Sequence, residues 1–407
     1  MTKEETNVIA GIDTHAETHH VALITEYGKH LADQKFLAVG SGYQEIAEYI
    51  TQYGPVISVG IEGTGSYGAE LARVLAKEGF EVKEVNRPNR HARRLHGKSD
   101  PLDAYQAAEA VLASRGTSTP KTRDGYVEAL RVLRTARTSA VKASTAVLAQ
   151  ISTVLTATPE SVRAKYRGLT SEARAKTMAS SRPAGAITDP AVATAVTLKR
   201  MAARHHYLSA EIADCDAQLA HIIADNAPAL TQIKGIGTAV ASQLLVTIGD
   251  NPERLTSEAQ FAALAGVSPI PASSGKTTRH RLSRGGDRAA NAAIHRIVLV
   301  RMSTDQRTQD YVAKRTADGK SKREIMRCLK RYVAREIYRV LHNPRPAPLT
   351  NDLRPRRLAM HITQTAAAQQ FGVWSTAISR IEKGISHDHD LTNRSRAWLD
   401  EQTKISA

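Results

Sequence analysis

A mixed α/β domain at the N-terminus followed by a long, almost wholly helical remainder is the fold class this sequence predicts, and three observations carry it. Within residues 8 to 115, short runs rich in β-branched residues alternate with amphipathic stretches, and Gly-containing turns separate them. From about residue 120 the strand signal vanishes and Ala, Arg, Thr and Leu dominate. A Pro- and Arg-rich stretch, NPRPAPLTNDLRPRR, then sets off a last helical segment.

Taken in order, VIAGID, HHVALIT and KFLAV are three successive strands joined by polar turns, the pattern of an antiparallel meander. SGYQEIAEYITQYG reads as helix, VISVGIE as strand, GAELARVLAKEG as helix and EVKEV as strand, so a mixed sheet has helices covering its faces. Meander followed by strand and helix alternation is the element order of a ribonuclease H-type or RuvC-like domain, here residues 1–120. Residues 121–226 form a coiled-coil-like helical arm. Leu198, Met201, His205, Leu208, Ile212, Cys215, Leu219 and Ile222 alternate steps of three and four along one helix face. His205 and Cys215 interrupt the apolar seam, which leaves packing within the chain and self-association both open. SSRPAGAITDP is a loop between helices.

Residues 227–343 form a mostly helical unit. It opens with TQIKGIGTAVASQLLVTIG, whose glycines precede an amphipathic helix as in helix-hairpin-helix elements that hold a phosphate on backbone N–H groups. The loop SPIPASSGKTTRHRLSRGGDRAA follows, and then a helix, KREIMRCLKRYVAREIYRVL, with cations on one face. Residues 344–359 are a linker. Residues 360–407 read as helix, tight turn at Gly372 and a second helix capped by Ser375, a helix-turn-helix pattern.

Composition narrows the function. Lys and Arg total 56 against 40 Asp and Glu, a formal charge of +16, so a polyanion is the expected partner. No apolar run reaches the roughly 18 residues a membrane span needs, and no signal-peptide pattern opens the chain, which predicts a cytoplasmic protein without membrane attachment. Only Cys215 and Cys328 are present, so a disulfide framework or a thiolate zinc site is excluded. Aromatic residues make up 4%, which argues against single-strand binding on a stacking sheet.

Four acids sit where a phosphodiester-cutting site places them. Asp13 ends the first strand, Glu62 ends VISVGIE ahead of GTGSYG, and Asp100 and Asp103 open the helix of SDPLDAYQAAEAV. Carboxylates at buried strand ends are costly unless a cation or another partner compensates them, and a pair of Mg²⁺ ions about 4 Å apart needs several such ligands. Asp13, Asp100 and Asp103 have blander readings, whereas Glu62 at a strand end ahead of glycines is harder to dismiss. Asp13 serves equally as a turn residue, and Asp100 is an ideal N-cap ahead of Pro101, with Asp103 favoured by the helix dipole. Three elements contributing acids together outweigh these one at a time. His15, His19 and His20 have the composition of a metal site, but alternating histidines near a strand start are expected at the surface. A sugar-kinase phosphate loop is disfavoured, because Thr14, His15 and Ala16 stand where glycine is needed.

GIDTH, IEGTGSYG and KSDPLDA, followed downstream by IKGIGTAVASQLL, FAALAGVSPIPASSGK and RLSRGGDRAANAA, resemble in kind and order the DEDD insertion-sequence transposases related to the Piv DNA invertase. The resemblance spans residues 8 to about 340. It implies a RuvC-like catalytic domain, a coiled-coil-like arm and a C-terminal transposase domain with an essential serine. The metal-binding set it implies is Asp13, Glu62, Asp100 and Asp103. The serine is Ser274, directly before Gly275, with Ser273 the less favoured choice. It further implies a recombinase that excises and inserts its element, a bridge RNA that pairs with donor and target DNA, and a homo-oligomer, dimer or tetramer, in which acids and serine meet between subunits.

Around that serine, Lys276, Arg279, His280, Arg281 and Arg284 are candidate phosphate contacts; the alternative is a flexible Gly-Ser loop with solvated cations. In the terminal segment, outside the resemblance, Thr376, Ser379 and Arg380 are the candidate DNA contacts, with Ile378 and Ile381 packed inside. Two other functions compete: a RuvC-like junction nuclease, which needs the acids but no serine, and a DNA-binding regulator acting through the terminal segment.

Overall fold

The expected meander is present: β1 (Val8–Thr14), β2 (Thr18–Thr25) and β3 (His30–Leu37) pair antiparallel in sequence order. The computed structural model describes residues 6–86, 99–273, 280–343, 349–384 and 388–406. After helix α1 (Gly40–Thr51), strand β4 (Val56–Glu62) pairs parallel with β1, and after α2 (Ala69–Lys77), β5 (Val82–Val85) pairs parallel with β4. Helix α3 (Asp100–Leu112) leads to β6 (Thr117–Ser118), a two-residue strand antiparallel to β5 and too short to read from sequence. The six-stranded mixed sheet has the order β3-β2-β1-β4-β5-β6. Residues up to Asp124 together with Gly249–Arg254 make up this first unit, in which Asn251 Nδ2 donates to Pro120 O at 2.9 Å.

Both faces of the sheet are covered, which is why β1 reads as an unbroken apolar run instead of an alternating one. Val8, Ala10 and Ile12 point to one face and pack with Ile46, Ile50, Leu71 and Leu75 of α1 and α2. Ile9 points to the other and packs with Ile24 and Ala108 of α3. On that second face α3 comes down onto two glycines. Gly11 and Gly60 are direct partners in the parallel β1–β4 register. A Cβ on Gly11 would lie 2.1 Å from Ala104 O and 2.2 Å from Ala108 N, and one on Gly60 would lie 2.5 Å from Val111 Cγ2. The helix backbone occupies the space a side chain would need.

The second unit, residues 125–248 and 255–407, is helical apart from one hairpin among the described residues. α4 (Tyr126–Thr156) and α6 (Pro190–Asn226) run antiparallel, since Arg137 pairs with Asp216 at 2.6 Å and Ser144 with His205 at 2.8 Å. The seam packs within the chain: Leu198, Ala202 and Leu208 meet Val147, Ile151 and Met178, the last from α5 (Ser171–Ala179). His205, which looked like a flaw in the seam, is buried and satisfied at Nδ1 by Ser144. Asp189 starts α6 by accepting from Ala191 N at 2.8 Å, and Pro190 begins the first turn.

α7 (Thr238–Ile248), α8 (Glu258–Leu264), α9 (Arg288–Thr304), α10 (Gln306–Ala317) and α11 (Lys322–His342) surround a further core. Ser321 and Glu324 form a capping box at the start of α11. Between α8 and α9 lies the hairpin β7 (Ile270–Pro271) and β8 (His280–Arg281).

The terminal segment is α12 (Leu353–Ala359), α13 (Gln364–Phe371), α14 (Ser375–Glu382) and α15 (His389–Ser406) around Leu353, Ala367, Ile378, Ile381 and Leu399. Gly372 adopts φ 65°, the expected left-handed turn. Ser375 does not cap α14; it is the first helical residue, and Trp374 occupies the cap position without a side-chain bond. Helix α12 falls inside the stretch expected to be linker. Its Arg357 side chain, 7% exposed, forks onto Glu382, 3% exposed, with Nε–Oε1 2.5 Å and Nη2–Oε2 3.0 Å. Ile378 and Ile381 are buried, Thr376 and Arg380 exposed and Ser379 half-buried. No helix among the described residues is long and apolar enough to cross a membrane.

Two outcomes follow for stability. Gly11→Ala should destabilise the first unit by roughly 1–3 kcal/mol, because the methyl must displace helix backbone; an unchanged melting temperature would contradict the close approach. Arg357→Met should cost the terminal segment about 3–5 kcal/mol by stranding buried Glu382, and Arg357→Met with Glu382→Leu should recover most of that loss. Limited proteolysis of residues 349–406 reads both.

Candidate functional site

Strands β1 and β4 both carry the order Gly, Ile, acid near their C-terminal ends, Gly11-Ile12-Asp13 followed by Thr14 in β1 and Gly60-Ile61-Glu62 closing β4. Side chains two residues apart share a sheet face, so each acid stands on the face that α3 covers, one step beyond the glycine that admits the helix. The first turn of α3, with Asp100 and Asp103, lies at that end. Asp13 and Asp103 are 7% and 2% exposed.

Asp13, His15 and Asp100 each offer one ligand atom, and these atoms all lie within 4.8 Å of one another. Nδ1 of His15 is 3.6 Å from Asp13 Oδ2. Glu62 and Asp103 are not members of this close group. Glu62 follows Ile61, the register partner of Ile12, and Thr14 Oγ1 ties the two strand ends by donating to Glu62 O at 2.7 Å. Asp103 sits one turn into α3, its N–H bonded to Ser99 O at 3.0 Å. The capping alternative for Asp100 does not describe the structure: the cap residue is Ser99, without a side-chain bond, and Asp100 is the first helical residue. Its carboxylate has Lys35 Nζ at 3.9 Å, from a lysine more than half exposed.

Of the three histidines, His15 is at the surface as expected, its side chain 45% exposed, and also joins the acids, while His19 and His20 depart from that expectation. His19 is fully buried on the opposite face, stacked on Tyr43 at 5.7 Å, and burial holds its pKa below the ordinary value. His20, the cross-strand partner of Asp13, places Nε2 2.7 Å from Asp33 Oδ2. Tyr105 of α3 donates to the other oxygen of Asp33 at 3.2 Å, and its pKa is pushed up to about 12 by burial and then by the Asp33 charge. That chain links β2, β3 and α3 beside the acids and keeps the phenol protonated.

Two carboxylates and an imidazole whose ligand atoms lie within 4.8 Å of one another could draw in around a divalent cation. Carboxylate oxygens are ligands for Mg²⁺, and imidazole extends the set to Mn²⁺ and other first-row ions. The carboxylates also repel one another when close, an energy that a bound cation reverses. Sequence reasoning missed Gly11, Gly60, Thr14 and the inclusion of His15. The repeated Gly-Ile-acid order was the signal that pointed to the glycines.

The second candidate site is the β7–β8 hairpin. Ser274, Lys276 and Arg279 lie outside the described residues. Ser273, His280, Arg281 and Arg284 are exposed. The hairpin is anchored where FAALAG meets RGGDRAAN. A Cβ on Gly286, at φ 82°, would lie 2.6 Å from both Gly266 N and Leu264 O, so only glycine permits the approach. Asp287 caps α9 through Ala289 N at 2.7 Å and accepts from Thr247 Oγ1 at 2.7 Å. Asn291 donates to Gly266 O at 2.8 Å.

Comparison with known proteins places the chain among transposases. Residues 10–159 match the DEDD IS110 transposase family model, and residues 227–313 match the model described as Transposase IS116/IS110/IS902 family. The chain is also 30% identical over 117 residues to the uncharacterized 43.6 kDa protein of insertion element IS110 from Streptomyces coelicolor, a match covering 28% of this chain and 29% of that relative. It therefore spans under a third of that relative's length. The acids lie within the first matched stretch and the hairpin within the second. With two models matched in order over more than half of its residues, the chain belongs to the IS110 family of transposases.

Proposed function

We propose that this chain is a DNA recombinase that excises and inserts an insertion-sequence element, cutting strands at a metal site formed by Asp13, Glu62, Asp100 and Asp103 and joining them through Ser274. The gathering of Asp13, His15 and Asp100 within 4.8 Å at the C-terminal end of parallel strands is the observation that carries this reading. A buried carboxylate at a strand end, Asp13, facing the half-exposed carboxylate of Asp100 on a helix start, is an arrangement a divalent cation relieves. The first unit then corresponds to a RuvC-like domain and residues 360–407 to a helix-turn-helix that contacts DNA through Thr376, Ser379 and Arg380.

In this reading Asp13 and Asp100 would hold Mg²⁺ through carboxylate oxygens, and the His15 imidazole, a nitrogen donor that suits Mn²⁺ better than Mg²⁺, would complete the set. Bound there, Mg²⁺ supplies Lewis-acid polarisation of a phosphodiester and lowers the pKa of the attacking group. Glu62 and Asp103 flank the group from β4 and α3. As the Ser274 Oγ–P bond forms, the P–O3′ bond breaks, and the proton the serine hydroxyl gives up passes through solvent to the departing oxygen, so a 3′-OH leaves and the phosphodiester energy is conserved for rejoining. Arg281 and Arg284, with Lys276 and Arg279, offset charge building on the phosphate oxygens. Guidance by a bridge RNA, action as a homo-oligomer and a cytoplasmic location complete the proposal; the formal charge of +16 suits a chain handling two polyanions.

Asp13→Asn and Glu62→Gln should each lower strand cleavage about 100-fold or more, since each removes a carboxylate charge from the proposed metal site. Far-ultraviolet circular dichroism should be unchanged. Full cleavage by both variants contradicts the metal site. Incubation with DNA should also trap a protein–DNA adduct whose mass maps to the peptide containing Ser274, absent from Ser274→Ala. An adduct persisting in that variant removes Ser274 from the mechanism and favours hydrolysis by a junction nuclease.

A further inference from the structure

A cavity of about 390 Å³ opens beside the β7–β8 hairpin, within the size range of sites that enclose small organic ligands. One wall is a single face of α11, where Arg327, Arg331 and Arg335 recur at helical spacing. Arg281 of β8 and the loop Gly266–Pro269 also line it. The lining is strongly cationic.

Glu258 fixes two of the guanidinium groups, with Arg331 Nη2 and Arg335 Nε each 3.0 Å from its carboxylate oxygens. Arg331 keeps a further donor, Nη1, that is buried and has no hydrogen-bond partner among the described residues. Arg327 has the charge of Glu324, the one carboxylate among the described lining residues, as its electrostatic neighbour. Lys330 reaches Asn291 Oδ1 at 2.5 Å, and burial lowers its pKa below the ordinary value. A buried donor left open among cations calls for an anion. Tyr332 also lines the cavity, 47% exposed, and is held at a right angle to Tyr311 with ring centroids 5.7 Å apart. A lone phosphate uses neither this ring nor the full volume. An acidic side chain satisfies the cations but leaves the ring bare.

We propose that this cavity holds one unstacked nucleotide of a nucleic-acid strand, its phosphate on Arg327 and Arg331 and its base against Tyr332. The proposal rests on the reading that the chain acts on DNA, and adds that a nucleotide is held at the foot of the serine hairpin. Aromatic stacking of this kind is tolerant of sequence, so the pocket positions a strand without choosing its bases.

The test uses the full chain in metal-free buffer with EDTA and single strands of DNA and RNA of one sequence, each carrying a fluorescent 2-aminopurine. Tyr332→Leu should weaken binding roughly 5- to 150-fold and abolish the 2-aminopurine quench, with Tyr332→Phe retaining both. Arg327→Gln should weaken binding and lower the slope of log K against log salt by about one. The strand type that responds identifies the occupant's source. Unchanged affinity, quench and salt slope for both variants on DNA and RNA overturn the pocket. Because no cleavage is measured, that result leaves the metal site standing, and retained cleavage in Asp13→Asn leaves the pocket standing.

Discussion

The approach of helix α3 to the sheet at Gly11 and Gly60 is the constraint on which the first unit depends. Two glycines side by side in the β1–β4 register remove the side chains that would hold the helix away, and the Ala104 and Ala108 backbone fills the space. Glycine inside strands is costly in chain entropy and leaves nothing to pack, so its use at two adjacent positions needs a compensating gain. That gain is the placement of Asp100 beside Asp13. A helix held farther out by even one methyl on each strand would carry its first turn away from the strand-end acids.

The same device recurs in the second unit. Gly266 and Gly286 meet closely enough that the backbone N–H of one and a Cβ on the other could not coexist, and Asp287 and Asn291 then bond across the junction. The loop bearing the hairpin is thus set on a rigid base made of backbone and helix caps. In both units glycines fix a close backbone approach next to the candidate residues that are described.

Much of this was legible in the sequence. The meander, the later strands, the helical switch near residue 120 and the turn at Gly372 all follow from periodicity and turn chemistry, because they are local. Strand β6 was not, since two residues in an edge pairing carry no period. Helix α12 was hidden by its Pro and Arg content, and only the tertiary pairing of Arg357 with buried Glu382 explains it. Of the site, the sequence grouped Asp13 with Asp100, as the structure does, but it did not bring in His15. The close set contains His15, whose partner atoms come from Asp13 two residues before it and from Asp100, far along the chain. Such a neighbour cannot be read from the spacing of histidines alone.

The central claim is that these side chains hold a divalent cation, and anomalous scattering from crystals grown with Mn²⁺ tests it most directly. The account predicts an anomalous peak between the carboxylates of Asp13 and Asp100, at roughly 2.0–2.2 Å from its oxygen or nitrogen ligands. Occupied Mn²⁺ elsewhere on the chain, with no peak between those two carboxylates, would contradict it.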